Sequence, residues 1–241
     1  MIKNECLSFH GFNNLAKSLD LNLYTVRRTV NDGERRDFIT YIDERFNSSS
    51  LRKLMEGICQ DIDATILDVS TYDYDPHGAS ALILLAEEEI TLHQKTAAHL
   101  DKSHISLHTY PEHHQSIGIS TFRLDITMST CGNISPLKVI DKIFEFFEPH
   151  IAIMDYRVRG YTRDVQGKKV FLDSKVDSLQ ECFSEGTLNN YEAEDFNRPE
   201  LRSYTTRLIH KDMMSFKEEA EIWNEIEEIY REQPFGGAGI V

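Results

Sequence analysis

The chain has 241 residues, 40% of them hydrophobic, enough for one large domain or two modest ones without disulfide or metal staples. A formal net charge of −14 offers no basic face to a polyphosphate and so argues against nucleic acid as a partner. No apolar run reaches membrane-spanning length, and the opening MIKNECLSFHGF carries neither a secretory core nor a transit pattern, so a cytoplasmic protein without a membrane partner is expected.

In chain order, Phe38, Ile39, Ile42 and Phe46 recur at helical spacing over 34–46. After the triple-serine break Leu51, Leu54, Met55 and Ile58 repeat the pattern, predicting two helices or one interrupted helix. Runs rich in β-branched and aromatic residues predict strands at 64–71, 79–86, 104–110, 120–128 and 151–158. Between the last two, Ser135 is expected as an N-cap and Pro136 as the first residue of a helix whose face carries Leu137, Ile140, Phe144 and Phe147. Residues 184–200 show neither period and read as a loop or a poorly ordered linker. Over 216–231 a stripe of Phe216, Ala220, Trp223, Ile226 and Tyr230 predicts a helix, with Glu218, Glu221, Glu225 and Glu228 on its solvated face. The sum is a single α+β domain over 1–241, an αβ sandwich of antiparallel sheet with helices packed on the outside.

Chemistry concentrates between His99 and Cys131. That stretch holds five histidines (His99, His104, His108, His113 and His114), a serine directly after a lysine, a Thr-Tyr-Pro-Glu segment that looks like a turn, and a cysteine before a glycine. No histidine pair falls on a predicted helix at the i, i+4 spacing of a metal site, and the GxSxG elbow of a serine hydrolase is absent. The four cysteines, Cys6, Cys59, Cys131 and Cys182, are scattered without a CxxC, so any that matters should act as a thiol. Serine before a strand is ordinarily a cap, and alternating histidines ordinarily a polar face. The residues alone leave the site undecided.

KSHISLHTYPE (102–112), then STCG (129–132) and Ser135-Pro136, resemble the S-adenosylmethionine decarboxylases of the bacterial type. LSFHGFNNLAKSL (7–19), YDPHGASALILLAEE (74–88) and MDYRVRGYTRDVQG (154–167) are similar to its longer, enterobacterial subgroup. The resemblance implies a proenzyme that cuts itself between Lys102 and Ser103 into a β chain, 1–102, and an α chain, 103–241. Ser103 would become a covalent pyruvoyl group, able to condense with a substrate's α-amine and accept the electrons released with carbon dioxide. His108 and Ser80 match the residues that assist processing, and Cys131 the proton donor of turnover. Tyr74, Tyr110 and Glu112, with Phe9, match positions that hold the adenine and ribose of S-adenosylmethionine. Magnesium and a homo-oligomer of αβ units are carried over as expectations, with no metal ligands legible. Decarboxylated product would serve as aminopropyl donor for spermidine synthesis. Related enzymes keep the pyruvoyl machinery for ornithine or arginine, and a non-catalytic regulatory homologue is the alternative from another class. Strict strand alternation puts Ser103 and His108 on opposite faces, so their cooperation requires a bend before His104.

Overall fold

The computed structural model describes residues 9–86, 103–131, 134–164, 166–170 and 176–231, with backbone alone at 9–13 and 162. A short strand β1 (Phe9–Asn13) leads into the long β2 (Ala16–Arg28), followed by helices α1 (Asp32–Arg45) and α2 (Ser48–Asp61). Strands β3 (Thr65–Asp73), β4 (Ala79–Ala86), β5 (His104–His114) and β6 (Ile119–Cys131) come next. Helix α3 (Ile140–Phe147) crosses to β7 (Ile151–Arg159), then β8 (Thr162–Asp164), β9 (Lys169–Val170), a one-turn α4 (Glu185–Leu188), β10 (Tyr191–Asp195), β11 (Ser203–His210) and α5 (Ala220–Arg231). Eight strands form one antiparallel sheet in the order β10-β11-β7-β2-β6-β5-β4-β3, and β1, β8 and β9 form a small second sheet.

The sequence dictates the caps that start the helices. Asn31 accepts from Glu34 N–H at 3.0 Å while Glu34 accepts from Val30 N–H at 2.8 Å, and Asn47 accepts from Ser50 N–H at 3.0 Å. Phe38, Ile42, Phe46, Leu51, Met55 and Ile58 then meet the inward residues of the strands. Those residues fall at every second position: Leu19, Leu21 and Leu23 on β2, Ile105 and Leu107 on β5, and Phe122, Leu124, Ile126 and Met128 on β6. Each such aliphatic side chain stabilises the fold by roughly 1.5–3 kcal/mol. A second, smaller cluster lies on the other face at one end, where Ile222 and Ile226 of α5 cover Tyr24, Val26, Ile119, Ile151 and Ile209. The expected α+β sandwich is therefore observed.

Several local expectations change. The interval 184–200 contains α4 and β10, since Tyr191 and Ala193 alternate inward opposite His210 and Leu208. No strand is expected over 16–28, although its leucines alternate; the structure makes it a central strand, antiparallel to both β6 and β7. The Thr-Tyr-Pro-Glu segment is no turn but part of β5, which runs on to His114. Ser135 makes no side-chain cap, and Pro136 opens a 3₁₀ turn before α3 begins at Ile140. A 3₁₀ segment, Lys211–Glu218, takes the start of the expected C-terminal helix, whose buried residues are Ile222 and Ile226.

Candidate active site

Ser103 lies immediately before β5, almost fully buried. Its carbonyl accepts from Leu85 N–H at 3.2 Å, tying it to β4. Its hydroxyl donates to the thiol of Cys131 at 3.3 Å. Cys131 ends β6 on the face opposite α1 and α2, the face it shares with Ser129 and Thr127, because Met128, Ile126 and Leu124 take the helix side. The serine hydroxyl thus reaches a group on the face that alternation would deny it.

That face is polar and is laid out in cross-strand rows. Ser80 of β4 is directly opposite His108 of β5, His108 is opposite Asp125 of β6, and Asp125 is opposite Asn22 of β2. Ser80 is held there from below. Ala79 N–H donates to Thr109 Oγ1 at 2.6 Å, and Gly78 has φ +100°, where an added Cβ would sit 3.2 Å from the Thr109 carbonyl oxygen. The next row pairs Tyr110 with Arg123, whose guanidinium lies 4.6 Å from the ring centroid, and Arg123 Nε is 3.0 Å from Asp125 Oδ1. The His108 ring stacks toward Tyr110 at 6.5 Å.

A cavity of about 430 Å³ opens beside Tyr110, bounded by Tyr24, Glu112, Thr121, Arg123, Glu225, Glu228 and Ile229. Glu225, expected on a solvated helix face, instead lies 3.5 Å from His114 Nε2, itself 3.5 Å from Glu112. With Glu228 it turns α5 into an acidic wall. Tyr74 lies elsewhere, in a smaller cavity of about 230 Å³ with Phe46, Asn47, Asp73 and Gly78. Phe9 begins β1, and its side chain is outside the described set; Lys102, His99 and Cys6 lie outside the described residues altogether.

Ser103 and Cys131 are therefore brought together, as are Ser80 and His108, but the two pairs are apart. Five residues of β5 separate Ser103 from His108, roughly 16 Å at ~3.3 Å per residue, and Tyr110 and Glu112 lie farther still. Sequence reasoning passed over three carboxylates of this face. Asp125 sits beside His108, and Asp20 of β2 faces Asp155 of β7. Burial pushes the Asp20 carboxyl above its ordinary value against a hydrogen bond from Thr127 and the charges of Arg159 and His104. Burial likewise raises Asp155, although Thr205 Oγ1 donates to it at 2.5 Å. Their signal is the period-two pattern of β2, β6 and β7, but which carboxylates become neighbours depends on register. Cys59 is a core thiol, pushed up to about 11 mainly by burial. Among the described residues no three His, Cys, Asp or Glu side chains are arranged to hold a metal ion, so the expected magnesium finds no ligand set there. No helix among them is long and apolar enough to cross a membrane.

Residues 37–160 match the family model described as S-adenosylmethionine decarboxylase. The S-adenosylmethionine decarboxylase proenzyme of Hahella chejuensis is 43% identical over 221 residues, covering 87% of this chain and 84% of that protein. That of Stenotrophomonas maltophilia is 42% identical over 250 aligned positions, covering 93% of this chain and 95% of that protein. Their extent and identity show that the chain belongs to the S-adenosylmethionine decarboxylase family.

Proposed function

We propose that the chain is a self-processing, pyruvoyl-dependent S-adenosylmethionine decarboxylase, cut between Lys102 and Ser103, that supplies an aminopropyl donor for spermidine synthesis. The observation that carries this reading is the 3.3 Å contact between Ser103 Oγ and Cys131 Sγ. It joins the residue that would be converted to the one that would serve it.

Processing begins when Ser103 Oγ loses its proton and attacks the Lys102 carbonyl carbon. The C–N bond breaks, and the residues are then linked by an ester. Removal of the Ser103 α-proton by His108 expels the Lys102 carboxylate and leaves a carbon–carbon double bond. Water then replaces nitrogen, which departs as ammonia. The Ser80 hydroxyl, beside His108, is a donor suited to the oxyanion of the first step. The pyruvoyl group supplies an electron sink when present. A Cys131 thiol at the former Ser103 side chain holds the proton that must reach the substrate's α-carbon.

The separation of Ser103 from His108 supports a homo-oligomer. A histidine roughly 16 Å along the same strand cannot take a proton that must move across ~3 Å. Ser80 and His108 would serve Ser103 of a second copy, through the polar sheet face that α5 leaves uncovered. Tyr110 and Glu112 share that end of β5, beside the acidic cavity, and suit the flat base, the ribose hydroxyls and the sulfonium charge of S-adenosylmethionine.

Intact mass of purified protein tests the cut: fragments 1–102 and 103–241 are expected, and a persistent 27.9 kDa chain would refute it. Carbon dioxide release from S-adenosylmethionine, ornithine and arginine tests the substrate, and preference for either amino acid would overturn it.

A further inference from the structure

We propose that Lys17 is a positioning residue for Cys131: with Thr130 it grips the Ile134 carbonyl just beyond the thiol's strand and so fixes where the thiol sits. This rests on the reading that Cys131 supplies the proton of turnover. Lys17 lies on the helix side of β2, in line with Leu19 and Leu21 of the core, and is only 1% exposed. It is directly opposite Thr130 of β6, while its chain neighbour Ala16 is directly opposite Cys131. Lys17 Nζ donates to the Ile134 carbonyl oxygen at 2.7 Å, and the buried Thr130 Oγ1 donates to the same oxygen at 3.1 Å. Cys131 is thus flanked by Thr130 on one side and, three residues on, by a carbonyl held twice.

Packing alone does not call for a lysine there. An amine taken out of water is costly to place, and an apolar side chain of similar length would fill the volume without that penalty. What Lys17 adds is a donor where the chain leaves β6. Cys131 is the last residue of that strand, paired with β2 through Ala16 but beyond the ladder to β5, which stops at Ser129. A strand end held from one side opens locally unless the chain that follows is tied down, and a proton donor misplaced by about 1 Å can lose ~10²-fold in rate. The electron pair left when carbon dioxide departs takes its proton either at the substrate's α-carbon, giving the amine product, or at the carbon that came from Ser103. The second outcome, after hydrolysis by water, releases an aldehyde and leaves alanine at position 103. Holding the thiol still favours the first.

The test uses the full-length chain, cut and uncut. Lys17→Met and Thr130→Val nearly conserve volume and remove one donor each, and both chains should still be cleaved ahead of Ser103. In the cut enzyme kcat for S-adenosylmethionine should fall about 10-fold or more with KM within ~2-fold of the parent. N-terminal sequencing of the 103–241 fragment should find alanine accumulating several-fold faster per turnover, whereas Thr130→Ser, which retains the hydroxyl, should keep the parent ratio. In the uncut Ser103→Ala protein, where no turnover occurs, iodoacetamide should alkylate Cys131 several-fold faster once either donor is gone. Parental alanine formation with parental alkylation in a folded Lys17→Met or Thr130→Val chain would overturn the role, and if one variant fails to fold the other decides. A Cys131→Ala enzyme that turns over at the parent rate would instead refute the task assigned to the thiol, a separate failure.

Discussion

Two chains, each carrying one lesion, should repair each other. Ser103→Ala has no residue to convert, and His108→Ala has no base to act with. Within one chain the two positions are separated by five residues of continuous strand, roughly 16 Å, several times the reach of a hydrogen bond. If a site is built from Ser103 of one copy and His108 of another, a mixed pair contains one intact site, in which the His108→Ala chain is the one cut. Random pairing of equal amounts puts about half of the His108→Ala chains in mixed pairs, so about half should be cleaved and none of the Ser103→Ala chains. The assay is co-expression with distinguishable tags, followed by intact mass of each chain. Should the His108→Ala chains stay at their homo-oligomer level of cleavage, the two-copy site is wrong.

Cys131→Ala should still be cut but lose about 10²–10⁴-fold in carbon dioxide release, and an equal loss of cleavage would deny the thiol its separate task in turnover. Phe46→Ala removes a buried ring packed 5.0 Å from Phe122 and 5.2 Å from Phe147, and should cost about 3–5 kcal/mol in denaturant unfolding; a loss under ~1 kcal/mol would mean the core closes over the gap. Asp20 titrates above its ordinary 3.8 because burial disfavours the anion. Its penalty is absent below 3.8 and grows as pH rises through the elevated value, so Asp20→Asn should gain stability above that window and none below it. A urea midpoint raised by ~0.2 M at pH 7 and unchanged near pH 3 is expected, and a lower midpoint at pH 7 would show that the carboxylate contributes more than it costs.

The sheet and its helices were legible where an apolar run or a 3.6 period stood out, as in 79–86, 120–128 and the Phe38–Phe46 stripe, whereas β2 was passed over despite the alternating Leu19, Leu21 and Leu23. The C-terminal strands were harder: β10 mixes glutamates with single inward residues, because it is an edge strand with one face against α3 and α4. Ser103, Cys131, Ser80 and His108 were named from motif, and their grouping into two pairs was not foreseen. Sequence spacing makes Ser103 and His108 look adjacent, whereas a strand spreads five residues over many ångströms, and Ser103 and Cys131, 28 positions apart, meet because β5 and β6 are antiparallel neighbours. Asp125 and Glu225 were missed for the same reason. One acquires its neighbour through register and the other through the docking of α5.

Strand order also bears on what a cut ahead of Ser103 leaves behind. In the sequence β10-β11-β7-β2-β6-β5-β4-β3, the fragment before the cut supplies β2, β3 and β4, and the fragment after it supplies the rest. β2 is then clasped between β6 and β7 of the other fragment, and β5 lies between β4 and β6. The pieces are woven together, so neither can leave without tearing the ladder on both sides. Folding of the uncut chain is unimolecular, but reassembly after the cut must be bimolecular and concentration-dependent. Maturation would thereby exchange a reversible folding equilibrium for kinetic persistence, and a mature molecule once unravelled by heat or denaturant would have no first-order route home.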